Sequence, residues 1–124
     1  MERKRRFGLL LALGAALCVA ASARPAVAAS ISCDGGIDYV DYGQASSSNT
    51  VLQLGCISGG AVQHFYAYTS QGSCTGENKT LDTIKGWKSM AEGALLGGRS
   101  VILYYNTCGS PAKNYISTFS LRRQ

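Results

Sequence analysis

The chain has 124 residues, of which 12 are Lys or Arg and 7 are Asp or Glu, for a formal charge of +5. That length holds one small domain. The charge is concentrated at the N-terminus: from residue 29 onward only seven basic and six acidic residues remain, so the main electrostatic argument for a nucleic-acid partner disappears.

Arg3, Lys4, Arg5 and Arg6 form a positive opening, followed by thirteen apolar or small residues from Leu9 to Ala21. Ala26-Val27-Ala28 then supplies a small-x-small cleavage site. This is the pattern of a secretory signal over 1–28, leaving one domain over 29–124, exported by the general secretory route to the periplasm or beyond, with no membrane span after cleavage.

Cys33-Asp34-Gly35-Gly36 reads as a turn-like start, and Ile37 to Tyr42 as a short first strand. Gly43 to Thr50 is a polar loop and Val51 to Ile57 a second strand. Ser58-Gly59-Gly60 predicts a tight hairpin turn, because paired glycines accept positive backbone angles. Ala61 to Tyr68 is a third strand, and Ser70 to Lys79 a polar loop.

Leu81, Ile84, Trp87, Lys88, Ala91, Ala94 and Leu95 recur at helical spacing, and all but the lysine are apolar. Thr80 and Asp82 stand where a cap and a first-turn acid belong, and Gly97-Gly98 ends the helix. Val101 to Tyr105 is a β-branched and aromatic strand. After a turn-rich loop from Asn106 to Asn114, Tyr115 to Leu121 alternates as a half-buried final strand. The predicted fold is mainly β with one helix: an OB-fold, a five-stranded Greek-key barrel with the helix between strands three and four.

Cys33, Cys56, Cys74 and Cys108 remain after the leader, an even number in a small exported domain, which reads as two disulfides. Four cysteines allow three pairings. The closest two are 18 positions apart, too far for a zinc knuckle, so no metal is expected. No cofactor and no catalytic set are expected either. His64, the only histidine, reads as an ordinary strand residue, and Asp34, Asp38 and Asp41 as a solvated face and turn. Seven tyrosines are many for a domain of this size. Aromatic faces beside hydrogen-bonding groups suit sugars, whose C–H faces are apolar and whose hydroxyls need partners.

The helix carrying Ile84, Trp87 and Ala91, followed by Gly98-x-x-Val101-x-Leu103-Tyr104-Tyr105, together with Cys56-Ile57-Ser58-Gly59, resembles the B subunits of AB-type bacterial toxins, most closely the subtilase cytotoxin and pertussis-like group. The B subunits of cholera toxin and the heat-labile enterotoxins share the element order. The resemblance implies a secreted, non-enzymatic homopentamer that binds host cell-surface glycans and delivers a separate A subunit. It implies a glycan pocket at Asp34, Gly35 or Gly36, and Tyr105, with glycine where the family carries a serine. By resemblance to the enterotoxin group, Cys33 pairs with Cys108, which leaves Cys56 with Cys74. The subtilase-type partner of Cys56 lies in the third strand, where this chain reads Tyr66-Ala67-Tyr68-Thr69. The competing reading is a secreted interaction protein or inhibitor of the same fold without a toxin partner.

Overall fold

A computed structural model describes residues 29–72 and 74–122; the segment read as a leader, 1–28, lies outside them. The chain runs β1 (Ala29–Cys33), β2 (Gly36–Ser46), β3 (Asn49–Ser58), β4 (Ala61–Tyr68), a short 3₁₀ turn (Thr75–Glu77), α1 (Leu81–Gly97), β5 (Val101–Cys108) and β6 (Lys113–Leu121). It is mainly β with one helix, as the sequence predicts. Among the described residues no helix is long and apolar enough to cross a membrane.

Six strands form one sheet in the order β1-β5-β6-β4-β3-β2, one more than the five the sequence predicts. The additional strand is β1, ASISC, which covers the first residues after the predicted leader, where the sequence predicts no element, and Cys33 of the turn-like start. Small and polar residues give it a weak strand signal, and pairing against β5 decides its conformation instead. The helix therefore follows the fourth strand. All pairings are antiparallel except β4 with β6, where Tyr66 faces Tyr115. The two edge strands, β1 and β2, are separated in sequence only by Asp34 and Gly35.

The turn chemistry is local. Ser58 pairs with Ala61, leaving a two-residue loop of Gly59 (φ 58°) and Gly60 (φ 79°), the positive angles of a type I′ hairpin. The stretch read as a polar loop, 43–50, instead extends β2 and β3 into a longer hairpin. In α1 the Thr80 hydroxyl accepts from the Thr83 amide at 3.2 Å, and Gly98 ends the helix at φ 63°. Ile84, Ala91 and Ala94 bury the helix face. Ala91 and Ala94 pack on Ile37, Leu54, Phe65, Val101, Leu103, Ile116 and Phe119, while Ile84 sits with Leu52 and Ala67.

The disulfides are Cys33–Cys56 and Cys74–Cys108, which corrects the Cys33–Cys108 and Cys56–Cys74 pairing implied by the resemblance. The reason is register. Cys33 faces Val101 at one end of β5, and Cys108 closes the other end, seven residues on. At strand rise that is about 24 Å, against the roughly 4.4–6.8 Å between Cα atoms that a disulfide spans. Cys33 and Cys56 are fully buried with Cα atoms 5.2 Å apart, and their bond ties β1 to β3 across the core. Cys74–Cys108 anchors the loop before the helix to the end of β5.

Candidate functional site

The three residues predicted to hold a glycan do not converge. Asp34 is exposed between β1 and β2, and its Oδ1 accepts from the Gly59 amide at 3.3 Å, which steadies the β3–β4 turn. Gly36 is buried at φ 92°. Tyr105 turns inward: its ring meets Phe65 edge-on, centroids 5.0 Å apart, at the border of the core. The strand read as the first, Ile37 to Tyr42, lies in β2 at the far edge of the sheet and pairs only with β3; beside β5 stands β1, in which Ala29 faces Tyr105 and Cys33 faces Val101. Asp34 is thus at least four strand residues away from Tyr105, about 14 Å along β5. In the Tyr104-Tyr105 pair it is Tyr104 that is exposed.

Polar and aromatic side chains gather instead on the outer face of β2, β3, β4 and β6. Period-two alternation creates this face. Leu52, Leu54 and Cys56 of β3, with Phe65 and Ala67 of β4, are buried, so Gln53 and Gly55, and His64, Tyr66 and Tyr68, point away. Register then aligns Tyr39, Gly55 and His64 in one row across the strands, and Asp41, Gln53 and Tyr66 in the next.

Tyr39 crosses β3 over Gly55. A Cβ at Gly55 would come within 2.5 Å of Tyr39 Cε1, so only glycine lets the ring pass there. The Tyr39 hydroxyl accepts from Gln53 Nε2 at 2.8 Å and lies 2.5 Å from His64 Nδ1. With the hydroxyl donating to Nδ1, the imidazole carries its own proton on Nε2. Burial, reinforced by Tyr66, Asp41 and Asp38, raises the Tyr39 pKa above its ordinary value, while the Gln53 hydrogen bond opposes the shift. Tyr39 therefore stays a neutral hydroxyl.

Next to this row, Tyr66 and Tyr68 stack with centroids 6.2 Å apart and planes 16° from parallel. Lys113 Nζ lies 5.0 Å from the Tyr66 ring centre and 5.5 Å from that of Tyr68. It also donates to the Tyr68 hydroxyl at 3.2 Å, which is the main reason that its pKa is raised. Asn114 Nδ2 donates to the His64 carbonyl at 3.3 Å and its Oδ1 accepts from Thr107, so the start of β6 is held against β4. Between them opens a cleft of about 300 Å³ lined by Gln63, His64, Tyr66, Ala112, Lys113 and Asn114.

The arrangement offers stacking surface with hydrogen-bond donors and acceptors around it. Cys33, Cys56, Cys74 and Cys108 are in disulfides, and no group of three or more His, Cys, Asp or Glu among the described residues could hold a metal ion. Sequence reasoning singled out the tyrosines as a set but treated His64 as ordinary and passed over Gln53, Gly55, Lys113 and Asn114. The usable signal was H-F-Y-A-Y at 64–68, whose alternate residues are all polar or phenolic. Comparison with known families, with characterised proteins and with solved structures returns no match.

Proposed function

We propose that the chain is a secreted, non-catalytic glycan-binding subunit on an OB-fold, which assembles as a ring of five and carries a separate toxic subunit to host cells. The fold reading takes β1 and β2 as two halves of one strand bent at Asp34-Gly35. The sheet order then becomes a five-stranded barrel closed through that bent strand, with the helix between its third and fourth strands. The parallel β4–β6 pair supports the same reading. OB-folds bind oligosaccharides on the face of their second and third strands, flanked by the first and last hairpin turns. Those strands correspond here to β3 and β4, and the cleft beside Ala112 abuts the last turn.

The observation that carries the proposal is the stacked Tyr66 and Tyr68 beside the Gln53–Tyr39–His64 hydrogen-bond chain. Phenol rings cover the apolar face of a sugar, and amide, imidazole and hydroxyl groups pair its hydroxyls. Two disulfides in a small domain agree with an oxidising compartment. The outer edges of β1 and β2 give neighbouring copies backbone to pair with, which favours ring closure. A glycan array probed with the oxidised protein, combined with light scattering, tests the proposal. Glycan binding and a mass five times that of the subunit are expected. A monomer that binds no glycan would favour the interaction-protein reading.

A further inference from the structure

A second cleft, of about 320 Å³, opens along the edge strand β2: Asp41, Gly43, Val51 and Gln53 line it from the outer face, and Tyr42 and Gln44, which alternate with them, from the helix side. Gly43 leaves its floor clear, since a Cβ there would meet nothing within 4 Å. Lys88 Nζ lies 5.3 Å from the Tyr42 ring centre and pairs with Glu92 at 2.5 Å, so one wall is braced from the helix. Asp41 is exposed and makes no ion pair among the described residues. We infer that this cleft and the one beside Tyr66 form a single groove for a neutral oligosaccharide of more than one ring, with Asp41 and Gln44 as a second subsite. This inference rests on the glycan-binding reading.

Three facts support it. Asp41, Gln53 and Tyr66 are cross-strand neighbours in register, so the two clefts share one row of side chains. Gln53 lines the second cleft while its amide donates to Tyr39, whose hydroxyl meets His64 of the first. The two clefts together reach from β2 across β3 and β4 to the start of β6, about 14 Å at the usual strand spacing, more than a single sugar ring fills. The charge is balanced along that span. Asp41 stands at one end and Lys113 at the other, so no net field selects an anion, and the ammonium is already occupied by Tyr66 and Tyr68. The free carboxylate suits a pair of neighbouring hydroxyls, which donate to it together.

The test is an array carrying glucose, galactose, mannose and N-acetylglucosamine, each as the monosaccharide and as linear di- and tetrasaccharides, with sialylated and sulfated glycans alongside. Wild type, Asp41→Ala, Gln44→Ala and Tyr66→Ala are compared, after their melting curves. In the series that binds, affinity is expected to rise from monosaccharide to tetrasaccharide. Asp41→Ala and Gln44→Ala should each lower tetrasaccharide affinity about tenfold and leave the monosaccharide unchanged, as one lost polar contact requires. Tyr66→Ala should weaken both. Equal affinity at every length, or Asp41 and Gln44 variants that match wild type while Tyr66→Ala fails, would overturn the shared groove and leave glycan binding intact. Binding to acidic glycans alone would also overturn it. A wild type that binds no glycan would remove the underlying reading as well.

Discussion

The Tyr39 ring lies across Gly55, and that contact delivers its hydroxyl to 2.5 Å from His64 Nδ1. A backbone choice in β3 thereby fixes a hydrogen bond between β2 and β4. Gly55→Ala is expected to push the ring aside, at a cost of about 1–3 kcal/mol for overpacking. In a domain of this size that lowers the melting temperature by ~4–8 °C per kcal/mol. Gly43→Ala, in open space on the neighbouring strand, should stay close to wild type. Thermal melts of the two variants check the contrast, and equal effects would remove the role assigned to Gly55.

Alkaline pH should act on the same cluster. Tyr39 and Lys113 both have raised pKa values in the fold, from burial and from the Tyr68 hydrogen bond respectively. Each then contributes stability that is fully present below its unfolded pKa, about 10, and is lost as pH rises through the folded value. Stability should fall above pH ~10, less steeply in Tyr39→Phe. Phenolate absorbance should show one tyrosine ionising late, and Tyr39→Phe should abolish that late phase.

Much of the fold was legible in the sequence. The Thr80 cap, the Gly98 stop and the Gly59-Gly60 turn are local signals, and each formed where its residues indicated. The 101–105 run and the 61–68 strand were equally readable, because β-branched and aromatic residues dominate them. What escaped was set by distant partners. β1 is a strand only because β5 pairs with it, and the disulfide pairing follows from the same register. The three residues implied for the glycan pocket are kept apart for a related reason. The strand beside β5 is β1 and not the 37–42 strand, and the register of β1 on β5 keeps Asp34 and Tyr105 at opposite ends; no local signal encodes either.

Asp34→Ala and Tyr105→Phe should therefore leave glycan binding unchanged. Asp34→Ala loses its bond to the Gly59 amide and should cost about 0.5–1.5 kcal/mol of stability. Tyr105→Phe keeps the edge-on contact with Phe65 and should melt near wild type. A loss of sugar binding in either variant at unchanged stability would return the site to the first strand.

Non-reducing peptide mapping should yield Cys33–Cys56 and Cys74–Cys108 peptides. On the chain-entropy model each bond contributes roughly 3–4 kcal/mol, so the Cys74→Ser, Cys108→Ser double variant should unfold at clearly lower denaturant than wild type. A Cys33–Cys108 peptide would contradict the register of β1 on β5.

The central claim is that the outer face of β3 and β4 holds the sugar. Amide NMR of the oxidised protein, titrated with the strongest ligand from the glycan array, tests it most directly. The expected shifts centre on Tyr39, Gln53, His64, Tyr66 and Lys113, and Tyr66→Ala abolishes them. Shifts confined to 34–36 and Tyr105, with the β3–β4 face silent, would contradict it.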